Sequence, residues 1–249
     1  MIDLHCHLPF KVSDGPEDIR QSIAIMEAAA AAGTTYINAV SHMGGHREAR
    51  ERAILELRPH AEKLGITLHS GCEYDFFHFR AKIKDEICFA GPESRYVLID
   101  LRAGVVPYHA AQQISELMCD NINVVIVHPE MLFDWRQVKA MEQMIEAGAV
   151  FQLNATSIAG SCGREAAKTA FKCIENGMAH LVASDAHRPE GMRRWAMAEA
   201  RDILLKRYGE ELCELLFEVN PQRILANQPP IPTGRQTPPS LLDRLFRRK

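Results

Sequence analysis

Ile2-Asp3-Leu4-His5-Cys6-His7-Leu8 alternates apolar and polar side chains over seven positions. In a β-strand successive side chains point to opposite faces. Asp3, His5 and His7 therefore share one face, while Ile2, Leu4, Cys6 and Leu8 share the other. Two imidazoles two residues apart on one strand face reach a single cation, and neutral imidazole suits zinc, iron, manganese and related ions. With 11 histidines in 249 residues a His-x-His pair also arises by chance. The motif therefore acquires meaning only if carboxylates and further histidines fall at other strand ends.

Moving outward from that strand, β and α patterns alternate. Apolar runs predict strands at 36–40, 67–73, 96–100, 123–128, 150–153 and 180–185, with helical stretches at 22–32, 46–63, 108–119, 135–147 and 164–176. Asp14 is placed to cap a first helix that Pro16 opens and Gly33 closes. Regular alternation with apolar strands predicts a parallel sheet. Seven or eight such units in ~250 residues predict closure into a barrel.

His5, His7, His42, Glu73, Asp100, His128, Asp185 and His187 all fall at or just past a predicted strand end. In α/β barrels that rim carries the chemistry, because side chains from several strands converge there. Singly each has an ordinary explanation, Asp100 as a helix cap or His128 as a loop residue. Jointly, acids and imidazoles crowded at one mouth need cations between them.

Composition bounds the alternatives. The chain is 47% hydrophobic and 24% charged with a formal charge of −3, which fits one globular domain and gives no electrostatic case for nucleic acid. The start of the chain lacks the pattern of a signal peptide, and seven cysteines without a C-x-x-C pair read as reduced thiols, so a cytoplasmic protein is expected. No cysteine has an arginine six positions later, which removes thiol-phosphatase chemistry. P-loop and nucleophile-elbow motifs are absent as well. Residues 1–227 form the expected domain. From Gln228, five prolines in 22 residues precede the basic end Leu241-Leu242-Asp243-Arg244-Leu245-Phe246-Arg247-Arg248-Lys249. This is expected to be a flexible tail with possible weak contact to a membrane surface.

Asp3-Leu4-His5-Cys6-His7, Asp14-Gly15-Pro16, His42, Gly71-Cys72-Glu73, 94–100, His128-Pro129-Glu130, Ser184-Asp185-Ala186-His187 and Asn220-Pro221-Gln222-Arg223 resemble the PHP (polymerase and histidinol phosphatase) superfamily. Within it they are most similar to the manganese-dependent protein-tyrosine phosphatases of bacterial capsule and exopolysaccharide operons. The resemblance implies that the barrel is a distorted seven-stranded (β/α)7 TIM-like one, with three divalent ions, manganese first, and iron or zinc as alternatives. His5, His7, Glu73 and Asp185 would hold one ion, Glu73 with Asp100 and His128 a second, and Asp14, His42 and His187 a third. It also implies phosphoester hydrolysis by metal-activated water, whose pKa such ions lower from about 15.7 towards ~7. The implied substrate is a phosphotyrosine protein, a polysaccharide-operon tyrosine kinase among the candidates.

Three positions depart from the family pattern. Asp100 stands where Glu is usual, Met131 where Arg is common, and the loop after His42 is less basic. For the phosphate clamp, Arg193 or Arg194 is the first choice, and Arg136 and Arg47 are possible substitutes, because a guanidinium fork matches phosphate. The departures keep other readings open: a phosphatase of a small phosphate ester, or a non-catalytic metal-binding regulator weakened at Asp100. A hydrolase of non-phosphate bonds would need a carboxylated lysine or a different histidine pattern.

Overall fold

The computed structural model describes residues 1–44, 47–77, 79, 87–102 and 109–236. Among them, β1 (Ile2–Cys6), β2 (Tyr36–Ala39) and β3 (Thr67–Ser70) form one parallel sheet in that order. A second parallel sheet takes β4 (Glu73–Asp75), β5 (Tyr96–Asp100), β6 (Asn123–Val127), β7 (Val150–Asn154) and β8 (Leu181–Ala183). The helices that connect and cover them are α1 (Ile19–Ala31), α2 (Arg47–Lys63), α3 (Ala110–Cys119), α4 (Pro129–Leu132), α5 (Val138–Glu146), α6 (Ala155–Ile158), α7 (Arg164–Glu175), α8 (Met197–Tyr208), α9 (Glu210–Glu214) and α10 (Asn220–Leu225).

The α/β class and the parallel pairing follow the expectation, but eight strands in two sheets stand where one continuous seven-stranded barrel was expected. The third expected strand is split in two. Gly71 passes so close to β2 that a Cβ there would lie 2.2 Å from Asn38 Oδ1, and Asn38 Nδ2 donates to the Leu4 carbonyl at 3.0 Å. The amide fills the space that a side chain at 71 would need; β3 ends at Ser70, Gly71 N still donates to the Ala39 carbonyl at 2.9 Å, and the chain enters the other sheet at Glu73. The two sheets are nevertheless linked at both seams by isolated parallel bridges, Cys6 with Ala186 and His42 with Glu73. The linking bonds include His7 N to Ala186 O at 2.9 Å and Glu73 N to Ser41 O at 3.0 Å.

The apolar core divides by strand periodicity. Val97 and Ile99 of β5, Val124 and Ile126 of β6 and Phe151 of β7 pack outward with helix residues such as Ile25, Ile54 and Ile114. The alternate residues Leu4, Leu98, Val125, Val127 and Leu181 pack with one another, and Ile224 of α10 joins them. Because both faces are covered, β5, β6 and β8 are largely apolar, whereas β1 and β7 carry buried polar residues. Each fully buried aliphatic side chain contributes roughly 1.5–3 kcal/mol. Cys6 lies on the outward, packing side, as expected.

Two boundaries differ from expectation. α1 begins at Ile19, capped by Asp18, whose side chain accepts from Gln21 N at 3.1 Å. Asp14 is therefore left to the site rather than to the helix. The supposed linker is anchored as far as Gln236. Asn220 exchanges hydrogen bonds with both backbone groups of Ile231 at 2.7 and 2.9 Å, Thr233 Oγ1 donates to the Ala179 carbonyl at 2.9 Å, and Gln236 N donates to the Glu175 carbonyl at 3.1 Å. These contacts correct the expected flexibility for residues 228–236. The basic end, 237–249, lies outside the described residues, as does His46, which was expected to open α2. No described helix is long and apolar enough to cross a membrane.

His180 ties β7 to β8 and to α10. Its amide donates to the Phe151 carbonyl, its Nδ1 accepts from Phe151 N at 3.0 Å, and its own carbonyl accepts from Asn220 Nδ2 at 2.8 Å. Burial holds its pKa down at about 4, against 6.5 for the free side chain. A neutral buried imidazole stabilises the fold fully above pH 6.5. That contribution is lost as pH falls toward 4, because the unfolded chain alone takes the proton. At pH 5 the loss is about 2 kcal/mol. Urea unfolding at pH 7.5 and pH 5 should show wild type losing about this much more stability than His180→Asn, which keeps an acceptor for Phe151 N but has no proton to gain. Equal losses in the two proteins would refute the assignment.

Candidate metal centre

The predicted ligands gather where the strands end and the two sheets meet, some within strands and some on the turns that follow. β1 contributes His5 and His7, the seam after β2 contributes His42, and β4 begins with Glu73. The turns after β6 and β8 contribute His128 and Asp185. Three non-glycine residues at these ends adopt left-handed backbone conformations: Arg102 with φ 36°, His128 with φ 38° and Asp185 with φ 49°. Such conformations each cost about 1–3 kcal/mol and persist where the surroundings enforce them. Here they turn the chain sharply at the rim.

Glu73 is at the centre. Its Oε1 is 3.2 Å from His128 Nε2. Its Oε2 is 2.9 Å from His7 Nε2, 3.0 Å from His42 Nδ1 and 3.5 Å from His5 Nε2. None of the Oε2 contacts has hydrogen-bond geometry, so this buried oxygen is without a hydrogen-bond partner, as is buried His7 Nδ1. Nitrogen and oxygen donor atoms are packed closely here; His5 Nε2 and His7 Nε2, for example, are 3.0 Å apart in a hydrogen bond whose donor depends on the tautomer. That is the chemistry of a ligand set built to surround cations. Three groups of donor atoms each lie within 4.8 Å of one another: His7, Asp14, His42 and His187; His5, Glu73 and His128; and His5, His7 and Asp185. The residues present fit divalent ions.

Electrostatics agree with the crowding. Burial opposes charge on His42, but the Asp14 and Glu73 carboxylates outweigh it and raise its pKa to about 10. Burial is likewise outweighed at His128, which Glu73, Asp185 and Asp100 raise to about 10. Burial and the stacked His187 ring, 3.8 Å away, push His7 down to about 3. Although burial opposes it, the facing imidazoles hold Glu73 and Asp185 below the usual carboxylate range. The carboxylates that retain protons on His42 and His128 are those through which a divalent cation would replace them.

Asp100 reaches the same cleft, but its carboxylate is engaged by Arg102. The Arg102 amide donates to Asp100 Oδ1 at 2.9 Å, and its Nε lies 3.4 Å from Asp100 Oδ2 and 3.3 Å from Asp75 Oδ2. Asp100 belongs to none of the three donor groups. The arginines separate clearly. Arg193 lines the cleft, donating to Asp14 Oδ2 at 2.9 Å and contacting His187 Nε2. Arg194 turns away to Ser161 and Glu199. Arg136 is 92% exposed and pairs with Asp134 in a separate depression beside Trp135. Arg47, exposed at the start of α2, does not line the cleft.

Sequence reasoning missed several supporting residues. Gln152 Oε1 meets His5 Nδ1 at 2.8 Å, and Asn154 Nδ2 donates to Asp185 Oδ2 at 2.7 Å. Their i, i+2 spacing on β7 repeats that of His5 and His7, and this polar alternation in an apolar strand was the available signal. The strict alternation expected of β1 is broken by a register shift between Asp3 and Cys6, which puts Leu4 in the inner cluster and Cys6 in the outer one, and Asp3 supports the fold, accepting from Ser184 N at 3.1 Å and Trp195 Nε1 at 3.1 Å. Arg102 also escaped notice. The cleft above these groups encloses about 980 Å³.

A parallel α/β protein with imidazoles and carboxylates of metal-ligand type at its strand ends defines the class. Over residues 1–226 the chain matches the family of capsular polysaccharide synthesis proteins CpsB/CapC, and it belongs to that family. It is 31% identical to CapC of Staphylococcus aureus, covering 92% of each chain. It is 30% identical to the tyrosine-protein phosphatase YwqE of Bacillus subtilis, covering 95% of this chain and 98% of that one. With the tyrosine-protein phosphatase CpsB of Streptococcus pneumoniae it shares 28% identity over 92% and 99%. A solved structure from work on YwqE and CpsB, described as metal-dependent tyrosine phosphatases, superposes with a TM-score of 0.83 at 26% identity, covering 95% of this chain and 99% of that one.

Gln152 supplies the one hydrogen-bond acceptor seen for His5 Nδ1 among the described residues. Replacing it by leucine strands a buried ring nitrogen, which costs about 1–3 kcal/mol. Chemical unfolding of Gln152→Leu should show a loss of that size, and a variant as stable as wild type would remove Gln152 from the support of the centre.

Proposed function

We propose that this protein is a metal-dependent protein-tyrosine phosphatase of capsular polysaccharide synthesis. The observation that carries this is the convergence on Glu73 Oε2 of three imidazoles without hydrogen-bond geometry. Its family supports the same activity. The proposed substrates are phosphotyrosine proteins, a bacterial tyrosine kinase among them, met in the cytoplasm. In this reading the two sheets and their bridged seams act as one distorted seven-stranded barrel, with β3 and β4 as halves of its third strand.

The proposed ligands are His5, His7, Glu73 and Asp185 for one ion, Glu73, Asp100 and His128 for another, and Asp14, His42 and His187 for a third, with manganese first and iron or zinc as alternatives. Divalent ions so held acidify water at neutral pH and neutralise charge on a phosphoryl group. The protein does the positioning. Gln152 orients His5 and Asn154 orients Asp185, supports whose loss in metal sites typically costs 10–100-fold. Arg193, and Arg102 across the cleft, present guanidinium groups to the oxygens of a bound phosphate. A tyrosine leaving group, with a pKa near 10, departs with less proton assistance than an aliphatic alkoxide.

The test is turnover of a phosphotyrosine peptide after chelation and readdition of manganese, zinc or iron. Turnover should vanish on chelation and return with metal. Asp185→Ala should reduce kcat by about 100-fold or more, and Asn154→Ala by about 10- to 100-fold, with circular dichroism unchanged. Arg193→Ala should raise KM, whereas Arg194→Ala and Arg136→Ala should stay close to wild type. Activity that survives chelation, or full activity in Asp185→Ala, would falsify the reading.

A further inference from the structure

The cleft over the polar centre is lined by apolar as well as polar side chains, and three of them are methionines, Met131 and Met192 exposed and Met43 half-buried against the core. They come from different turns, each tied to the centre. Met43 follows His42, and its amide donates to the Glu73 carbonyl at 2.9 Å. The Met131 amide donates to the His128 carbonyl at 3.0 Å. Its Sδ also meets Asn154 Nδ2 at 3.3 Å, the same amide that holds Asp185. Met192 directly precedes Arg193 and follows Gly191, whose φ is +82°.

Burial makes this placement informative. Of the six large apolar side chains that are exposed among the described residues, two, Met131 at 50% and Met192 at 69%, line this one cleft. Leu132 lines the same wall. Exposed apolar side chains gathered beside a polar cleft mark a binding surface rather than a packing need. Methionine is flexible and polarizable and makes favourable contacts with aromatic rings through sulfur. A volume of about 980 Å³ holds far more than a phosphate group.

We infer that Met43, Met131 and Met192 form an aryl collar that grips the ring of a phosphorylated aromatic side chain while its phosphate reaches the polar centre, so that these thioethers select aryl over alkyl phosphate esters. The inference rests on the phosphatase reading above and adds the residues that decide the substrate class. Met131, where relatives of this kind were expected to carry arginine, becomes a specificity residue rather than a lost clamp. The same geometry predicts sensitivity to oxidation, because a sulfoxide converts the apolar wall into a polar one.

The experiment compares wild type with Met131→Gln, Met192→Gln, the double variant and the corresponding leucine variants, all in the metal-loaded full chain. The readouts are kcat/KM for a phosphotyrosine peptide and for the same peptide carrying phosphoserine, together with inhibition by inorganic phosphate. Each glutamine substitution should lower the tyrosine-to-serine ratio by about three- to tenfold, mainly through KM, with phosphate inhibition unchanged. The leucine variants, which keep the apolar surface, should retain most of the ratio. A ratio unchanged within twofold in the double glutamine variant overturns the collar and leaves the phosphatase reading intact. Weakened phosphate inhibition in parallel with the lost ratio also overturns it, by showing damage to the centre itself. A wild-type enzyme that hydrolyses neither peptide with any metal overturns the phosphatase reading and the collar with it.

Discussion

One buried carboxylate governs this structure. Glu73 is almost fully enclosed and is approached by His5, His7, His42 and His128, which arrive from β1, from the seam after β2 and from β6. A charge so placed is costly unless it is paired and coordinated. The architecture meets that demand by bringing two sheets together at the residue itself, since the His42–Glu73 bridge is also one of the two seams. Closure of the fold and assembly of the centre are therefore the same event.

That coupling explains features that look irregular taken singly. Gly71 passes closely over Asn38 between the end of β3 and Glu73, which opens the other sheet. Left-handed turns at His128 and Asp185 bend the chain abruptly at strand ends, where a regular continuation would carry it away from the rim. Apolar clusters on both faces of the strands form the scaffold that holds these turns. Around the centre, Gln152, Asn154 and Asp3 occupy their hydrogen bonds in orienting ligand-bearing residues and turns. Buried polar groups such as His5, His7 and Glu73 and exposed apolar ones such as Met131 and Met192 thus stand around a single site.

Local pattern made much of this legible. Alternation in Ile2–Leu8, apolar runs separated by helical periods, and polar residues at the ends of those runs were enough for the α/β class and the parallel pairing, and they pointed to eight ligand-type residues at strand ends. The break of the expected third strand into β3 and β4 was not legible, because it lies where Gly71 meets Asn38, a residue far from it in sequence. The arginines were the weakest part for a related reason. Arg193 and Arg194 are neighbours in the chain, yet only Arg193 faces Asp14 and His187, while its neighbour is drawn to Ser161 and Glu199. Asp14 likewise resembled a helix cap until Asp18 was seen to take that role.

The sequence by itself determined what is periodic or compositional: which segments become strands, which face of each is polar, and which residue types are available to hold cations, since strand and helix geometry fix side-chain direction over short distances. Only the tertiary structure decided what each long side chain does on arriving there. Arg102 turns onto Asp75 and Asp100, and Met131 comes to rest beside the amide that holds Asp185. Arg136 remains in solvent. Those outcomes depend on distances between segments remote in the chain and on which partner lies within hydrogen-bond reach, and neither is written in the local pattern.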